Sequence, residues 1–200
     1  MNAIHKAPIP LLIFAGSARK DSWNRKLAAA AADMARAEGA DVTVLELGAL
    51  GLPLSDGDLE AAGVPESVIR LKQLFRDHPA WIVCTPEYNG SYTPLLKNAI
   101  DWASRPLQGE HADLAGTRPF ENTVVGLLST APGPIGGMNG LGHTATLLRK
   151  LMCWVAPRQF ALGKAAEAFD PDGRIALDAH RTQVHLVIEQ VLETARKLRA

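Results

Sequence analysis

Four polar side chains near the N-terminus are of the types that bind an anion: Ser17, Arg19, Ser22 and Asn24. They lie between an apolar run, residues 10–15, and the start of a helical pattern. Free backbone N–H groups and hydroxyls at a helix N-terminus attract anions, and a guanidinium adds a planar fork that matches phosphate oxygens. This segment, loop 1 (residues 16–24), predicts a phosphate site. From these residues alone, a solvated turn capped by serine is an equal alternative.

Loop 1 also excludes two common classes of nucleotide site. It contains no Gly-x-Gly-x-x-Gly, the fingerprint of dinucleotide folds, and no Gly-Lys-Ser/Thr ending, which marks nucleoside triphosphate loops.

Two further segments follow apolar runs. Loop 2 (residues 85–92, Thr-Pro-Glu-Tyr-Asn-Gly-Ser-Tyr) has the composition of a turn, but its tyrosines and the backbone N–H groups of Asn89 and Gly90 suit a flat aromatic ligand. Loop 3 (residues 129–140) is rich in glycine, which lets a ligand approach the backbone closely; a flexible connector is the alternative. Lys97 and Asp101, four residues apart, predict a pair on a helix surface.

These loops are positioned by alternating strand and helix patterns. Apolar runs predict strands at 10–15, 42–47, 80–84 and 123–129, with a fifth within 152–160 that Pro157 places near a sheet edge. Helical patterns cover 22–39, 66–77, a segment starting at Pro94, a segment ending near 151, and 184–198. Residues 48–65 are rich in turn formers.

The alternation predicts an α/β three-layer sandwich, a parallel sheet with helices on both faces, as one domain over residues 1–200. Five strands favour the flavodoxin-like order 2-1-3-4-5. Ligands in such sheets bind beyond the carboxyl ends of the strands, at the switch point between strands 1 and 3. Loops 1, 2 and 3 are therefore expected to meet there.

Composition limits the possible partners. Lys plus Arg and Asp plus Glu are 21 each, which argues against binding to nucleic acid or to an anionic membrane. No apolar run approaches the roughly 18 residues of a membrane span, and residues 1–10 lack the features of a signal peptide, so we expect a cytoplasmic protein without membrane insertion. Cys84 and Cys153 lie in apolar runs and are expected to be buried.

The histidines do not predict a metal site. His180 and His185 are five residues apart and do not share a helix face well, and the other four have no paired spacing. These are His5, His78, His111 and His143.

Four stretches carry a family resemblance: Gly-Ser-Ala-Arg-Lys-Asp-Ser-Trp-Asn at 16–24, Leu-Pro-Leu-Ser-Asp-Gly-Asp-Leu-Glu at 52–60, Thr-Pro-Glu-Tyr-Asn-Gly-Ser at 85–91, continuing at 96–105, and Gly-Pro-Ile-Gly-Gly at 133–137. They occur in order and span most of residues 10–160. With them the sequence resembles the NADPH-dependent FMN reductase family of flavodoxin-like proteins, which includes quinone, chromate and azo-dye reductases.

The resemblance implies FMN as cofactor. Its phosphate would be held by Ser17, Arg19, Ser22 and Asn24. Its isoalloxazine ring would be lined by Pro86, Glu87, Tyr88, Asn89 and Gly90, with Tyr88 near the nicotinamide entry. The other side of the ring would be closed by Ser129, Gly133, Gly136 and Gly137.

The resemblance also implies the reaction and the partners. NADPH or NADH would pass a hydride to the flavin and leave, and a small-molecule acceptor such as a quinone, free flavin, an azo dye or chromate would then take the electrons. Because the flavin carries the chemistry, no catalytic acid–base pair is required of the protein. Family members form homodimers or homotetramers, so Asp101, Trp102 and Arg105 are candidate interface residues.

Two departures from the family pattern affect loop 3 and its surroundings. Many members have an arginine soon after the Gly-Gly pair, where this chain has Met138 and Asn139, and residues 117–122 resemble a short insertion. Two other functions stay open: a non-enzymatic flavin electron carrier, which would tend to be acidic where this chain is neutral, and a flavin-free regulator that binds a phosphosugar or nucleotide.

Overall fold

The computed structural model describes residues 8–199, so His5 and most of the segment considered for a signal peptide lie outside the described residues. Five parallel strands form one sheet in the order β2-β1-β3-β4-β5, which confirms the predicted topology. The strands are β1 (Pro10–Ala15), β2 (Asp41–Leu45), β3 (Ala80–Cys84), β4 (Val124–Thr130) and β5 (Trp154–Leu162).

Within residues 8–199, the α-helices that surround the sheet are α1 (Trp23–Ala37), α2 (Gly57–Ala62), α3 (Glu66–Asp77), α4 (Pro94–Ala103), α5 (Met138–Lys150), α6 (Ala165–Ala168) and α7 (Asp178–Leu198). Side chains of successive strand residues point to opposite faces. One face of the sheet packs on α1 and α7, and the other packs on α3, α4 and α5. The predicted three layers are thus confirmed.

Element boundaries agree closely where local signals are strong. β1, β3 and α3 have the predicted limits, and α4 begins at Pro94 as predicted. The Thr93 hydroxyl caps α4 by accepting a hydrogen bond from the Leu96 N–H. β2 ends two residues early because the chain turns into a 3₁₀ segment at Leu47–Leu50. α7 begins six residues before the predicted start because its first turns are polar and carry no apolar stripe.

Pro157 lies on an edge strand, as predicted. Among the described strands, β5 pairs with β4 alone. The register between them is irregular, because β5 runs from Val155 to Gln159 while its partner β4 runs only from Val125 to Leu127. This irregularity accommodates a proline, which has no N–H to donate to the neighbouring strand.

The stretch 117–122 contributes to the core. Phe120 is fully buried and makes edge-on contacts with Phe75 and Trp81, and Phe14 joins the same aromatic cluster. The segment that resembles a short insertion therefore packs against α3.

Both cysteines are buried and free, as predicted. Burial raises the pKa of Cys153 to about 12 and also raises the pKa of Cys84, because a thiolate is poorly solvated there. Neither thiol is therefore ionised at neutral pH. Within residues 8–199, no helix is long and apolar enough to span a membrane, and no three His, Cys, Asp or Glu side chains are grouped to hold a metal ion.

Candidate functional site

Loop 1 is held against loop 2 at the carboxyl ends of β1 and β3. The Gly16 N–H donates to the Cys84 carbonyl at 2.9 Å, and the Thr93 hydroxyl donates to the Gly16 carbonyl at 2.6 Å. A Cβ on Gly16 would lie 2.6 Å from the Thr85 hydroxyl oxygen, so only glycine fits. The sequence did not predict the contacts of Thr85 and Thr93 with Gly16, since threonine after a strand or before a helix is common.

The start of α1 has no side-chain cap. Ser22 occupies the N-cap position, yet its hydroxyl makes no hydrogen bond to the first turn of α1. Because the first N–H groups of a helix have no intrahelical acceptor, those of Trp23 and Asn24 are not satisfied within α1. Ser17 and the N-cap residue Ser22 are buried, while Arg19 is exposed and donates to the Asp21 carbonyl at 3.3 Å. The capped-turn alternative therefore lacks its capping bond.

The Asn24 side chain is hydrogen-bonded to the end of β4. Its amide nitrogen donates to the Thr130 carbonyl at 2.8 Å, and its amide oxygen accepts from the Thr130 N–H at 3.1 Å. The side chain is almost fully buried. These two bonds join the first turn of α1 to the end of β4, 106 residues away in sequence. The carboxamide is thus engaged with main chain.

Loop 2 forms a tight hairpin turn. Tyr88 and Ser91 exchange both backbone hydrogen bonds, at 2.9 and 3.0 Å. Asn89 and Gly90 have φ of 51° and 79°, the left-handed pair that a two-residue turn requires and that Asn-Gly adopts most readily. The side chain of Tyr88, the residue just before the two-residue turn, is half exposed.

Glu87 reaches across to the start of α5. One carboxylate oxygen accepts from the Gly140 N–H at 3.0 Å, and the other lies 3.4 Å from the Asn139 amide nitrogen. A second contact lies one turn further along α5, where His143 Nδ1 is 3.0 Å from the Ser91 hydroxyl. The Glu87 carboxylate therefore points towards α5.

The glycines of loop 3 serve internal packing more than the sequence suggested. The Ser129 hydroxyl donates to the Gly136 carbonyl at 2.7 Å. Gly136 has a φ of 64°, and a Cβ there would lie 2.7 Å from the carbonyl carbons of Ala161 and Leu162. Gly136 thus lets loop 3 lie against the end of β5, while Gly133 has open space around its Cα.

Apolar side chains are exposed on loops 2 and 3 and at the start of α5. Tyr88, Ile135 and Met138 are each at least half exposed. Exposed apolar groups clustered on functional loops are typical of surfaces that bind a ligand or a partner.

The candidate interface residues differ in availability. Trp102 is fully buried within the protomer, and its indole N–H donates to the Pro53 carbonyl at 2.8 Å, so its side chain cannot lie at a subunit interface. On this side, α4 therefore contacts the protein's own chain at Pro53. Arg105 pairs with Glu60 at 2.8 Å. Asp101 pairs with Lys97 at 2.7 Å, which confirms the predicted helix-surface pair.

A buried lysine joins α3 to the C-terminus of α4. Lys72 is fully buried in α3, and its ammonium donates to the carbonyl of Ala103, the last residue of α4, at 2.6 Å and to the Arg105 carbonyl at 2.9 Å. Burial, with repulsion from Arg105, lowers the pKa of Lys72 to about 8. The sequence carries a signal for this burial that was not used: Lys72 has the same helical spacing as Val68 and Phe75, which form the apolar stripe of α3.

Residues 9–167 match the model of the NADPH-dependent FMN reductase family. This match covers loops 1, 2 and 3 and all five strands. The chain belongs to the NADPH-dependent FMN reductase family. The predicted membership is thereby confirmed, and the resemblance seen in residues 10–160 lies within the matched region.

Individual relatives agree with the family. A quinone reductase from Pseudomonas putida is 34% identical over 166 residues, which are 82% of each chain. An NAD(P)H-dependent FMN reductase from Pseudomonas aeruginosa is 29% identical over 192 residues, 96% of this chain and 97% of the relative. Among solved structures, FerB, a flavoenzyme NAD(P)H:(acceptor) oxidoreductase from Paracoccus denitrificans, has a TM-score of 0.80 at 28% identity, covering 94% of this chain and 98% of FerB.

Family membership confirms three predictions for this reductase. The flavodoxin-like fold, an enzymatic function, and FMN with NAD(P)H as co-substrate are all shared with its relatives. The alternative of a non-enzymatic electron carrier is correspondingly less supported. The positions of the cofactor-binding residues stay predictions.

Proposed function

We propose that this FMN reductase transfers electrons from NAD(P)H to quinones and related small acceptors at a site formed by loops 1, 2 and 3. The observation that carries the proposal is the start of α1, which lies at the switch point of the sheet and has no side-chain cap. When bound, FMN would accept a hydride from NAD(P)H and pass the electrons on to the acceptor.

The phosphate end of FMN fits loop 1. The uncapped N–H groups of α1 favour a dianion, and the hydroxyls of Ser17 and Ser22 lie beside them. Arg19 is exposed and bound only to a backbone carbonyl at 3.3 Å, so its guanidinium is able to turn onto phosphate oxygens. Asn24 would act through the backbone N–H and by holding α1 against Thr130.

The ring end of FMN fits between loops 2 and 3. The turn at Asn89 and Gly90 presents backbone N–H groups, which would stabilise negative charge on a reduced ring. Pro86, Glu87 and Tyr88 would contribute backbone and the Tyr88 ring on one side. Ser129, Gly133, Gly136 and Gly137 would close the other side.

Apolar planar acceptors fit the exposed side chains best. Tyr88, Ile135 and Met138 offer contact area to a quinone and no cationic group for chromate. A quinone reductase is among the relatives, which supports the same class. Free flavin, azo dyes and chromate remain acceptors to be tested.

The experiment is stopped-flow spectroscopy on the FMN-loaded protein. Flavin absorbance should bleach with NADPH or NADH, and the ratio of the two rates gives the co-substrate preference. Reoxidation by quinone, azo dye, chromate and oxygen then ranks the acceptors, with quinone expected to be fastest. A protein that fails to take up added FMN, or that takes it up and does not bleach, would refute the proposal.

A homodimer or homotetramer and a cytoplasmic location complete the proposal. A second subunit placed beside the loops would cover part of the exposed apolar surface and form a wall of the acceptor site with the rest. A cytoplasmic location follows from the use of NAD(P)H, which is supplied there. Light scattering coupled to size-exclusion chromatography measures the oligomeric state, and fractionation of cells tests the location.

A further inference from the structure

The start of α5 lacks a cap of its own. Its N-cap residue, Gly137, is in the left-handed conformation with φ of 89° and has no side chain to offer. No acidic residue lies in its first turn. The helix follows β4 at the same edge of the sheet as loop 1, so its N–H groups would otherwise favour an anion.

Glu87 supplies the missing cap from loop 2. Its carboxylate accepts the N–H of Gly140, the third residue of α5, at 3.0 Å. This is the bond that an N-cap side chain normally makes within its own helix. Here donor and acceptor are 53 residues apart, so the bond also joins loop 2 to α5.

The packing around Glu87 is built for this contact. A Cβ on Gly140 would lie 3.2 Å from the Glu87 Cβ and 3.3 Å from the Ser91 carbonyl oxygen. A Cβ on Gly137 would lie 3.3 Å from the Glu87 Cβ. Both glycines therefore permit the close approach of loop 2, and the contact between His143 and Ser91 extends it by one turn of α5.

We propose that Glu87 is a positioning residue whose side chain sets the distance between the Tyr88–Ser91 turn and loop 3. The proposal rests on the proposed function, because these are the two walls of the ring site. Glu87 acts through the Gly140 N–H, and its charge also occupies an N-terminus that would otherwise attract a second anion. Phosphate binding at loop 1 does not depend on it.

The test compares Glu87→Ala and Glu87→Gln with wild type and with Asp56→Ala. Asp56 is the matched control, because its carboxylate caps α2 by accepting from Asp58 and Leu59 at 2.7 and 3.0 Å but joins no two loops of the site. Hydrogen exchange of the Gly140 amide in the FMN-free protein reports the bond directly. FMN affinity, the visible spectrum of bound flavin, and kcat and KM report the site.

Glu87→Ala should speed exchange at Gly140. It should raise the Kd for FMN by up to about tenfold, because FMN binding would then have to order a loop 2 that the bond no longer holds, a cost limited by the free energy of one charged hydrogen bond. It should also shift the flavin spectrum and raise KM for NAD(P)H more than it lowers kcat. Glu87→Gln, which keeps an acceptor for Gly140, should recover most of the loss. Asp56→Ala should lower the thermal midpoint without changing the spectrum or KM.

The outcomes are distinguishable. If the wild type binds no FMN, the proposed function fails before Glu87 is tested. If the wild type binds FMN and Glu87→Ala changes only stability, as Asp56→Ala does, the positioning role is overturned. A spectrum and KM that stay unchanged while Gly140 exchange speeds up would show that the cap exists but does not shape the ring site, which also overturns the proposal.

Discussion

Two helices begin at the same edge of the sheet, but only one of them has a side chain of the protein that accepts a hydrogen bond from its first turn. α1 follows β1, and the Ser22 hydroxyl leaves its first turn uncapped. α5 follows β4, and Glu87 from another loop supplies a carboxylate to it. A helix N-terminus without an acceptor from its own chain favours an external anion, so the difference supports the proposal that the FMN phosphate binds at α1 and not at α5.

The largest effect is expected when α1 is given a carboxylate cap like the one that α5 has. Ser22→Asp places a carboxylate at the N-cap of α1, where it would both cap the helix and repel the phosphate. A like charge at about 4 Å costs about 4 kcal/mol at an effective dielectric of 20, so the Kd for FMN should rise roughly a thousandfold. Isothermal titration calorimetry on the FMN-free protein measures this.

Ser22→Ala separates the lost hydroxyl from the added charge and should weaken FMN binding far less than Ser22→Asp. The thermal midpoint of FMN-free Ser22→Asp should equal or exceed that of wild type, because Asp is a good N-cap. FMN affinity retained in Ser22→Asp would show that the phosphate lies elsewhere.

A smaller effect is expected from moving loop 1 without changing its charge. Gly16→Ala should destabilise the protein by about 2 kcal/mol, since the new methyl would meet the Thr85 hydroxyl oxygen at 2.6 Å. Gly142→Ala, on α5, is the matched control: nothing lies within 4 Å of its Cβ position, so it should stabilise by up to about 1 kcal/mol. Urea unfolding measures both, and equal effects would contradict the close packing of loop 1.

The same contrast explains how much the sequence predicts. Strand order and the segments that form the site follow from apolar runs and from local turn residues such as Asn89 and Gly90. The roles of Asn24 and Glu87 do not, because each makes its hydrogen bonds to residues 52 or more positions away. A polar residue in a loop has the same local pattern whether it faces a ligand or a distant backbone group.

Within loop 1, the contribution of Arg19 is expected to be moderate. Arg19→Ala should raise the Kd for FMN about tenfold, since the guanidinium is exposed and a bond from it to phosphate would lie at the lower end of about 1.5–3 kcal/mol. Arg19→Lys keeps the charge without the planar fork and should fall between wild type and Arg19→Ala. Fluorescence quenching of added FMN gives these constants. Unchanged affinity in Arg19→Ala would leave the phosphate to the serines and the backbone alone.

The smallest effect per pH unit concerns the C-terminus of α4, a helix end whose carbonyls accept hydrogen bonds from a side chain of another helix. Lys72 donates to the Ala103 and Arg105 carbonyls, and burial lowers its pKa to about 8, with Arg105 and Glu60 as its charged neighbours. The unfolded chain, with a lysine pKa near 10.5, binds more protons between pH 8 and 10.5. The free energy of unfolding should therefore rise with pH in that window, by about 1 kcal/mol per pH unit from this group.

Lys72→Met isolates that contribution. Cys84 and Cys153 have raised pKa values in the folded protein, so they lower stability with increasing pH above about 9, but both proteins share them and they cancel in the difference. The wild-type free energy minus the Lys72→Met free energy, from urea unfolding, should be flat below pH 8 and rise above it. The rise should occur without loss of the α4 contacts, because a neutral amine still has two N–H groups for two carbonyls. A difference that is flat from pH 7 to 9.5 would mean that the lysine stays charged when buried, and that the end of α4 holds an ammonium as firmly as the start of α5 holds a carboxylate.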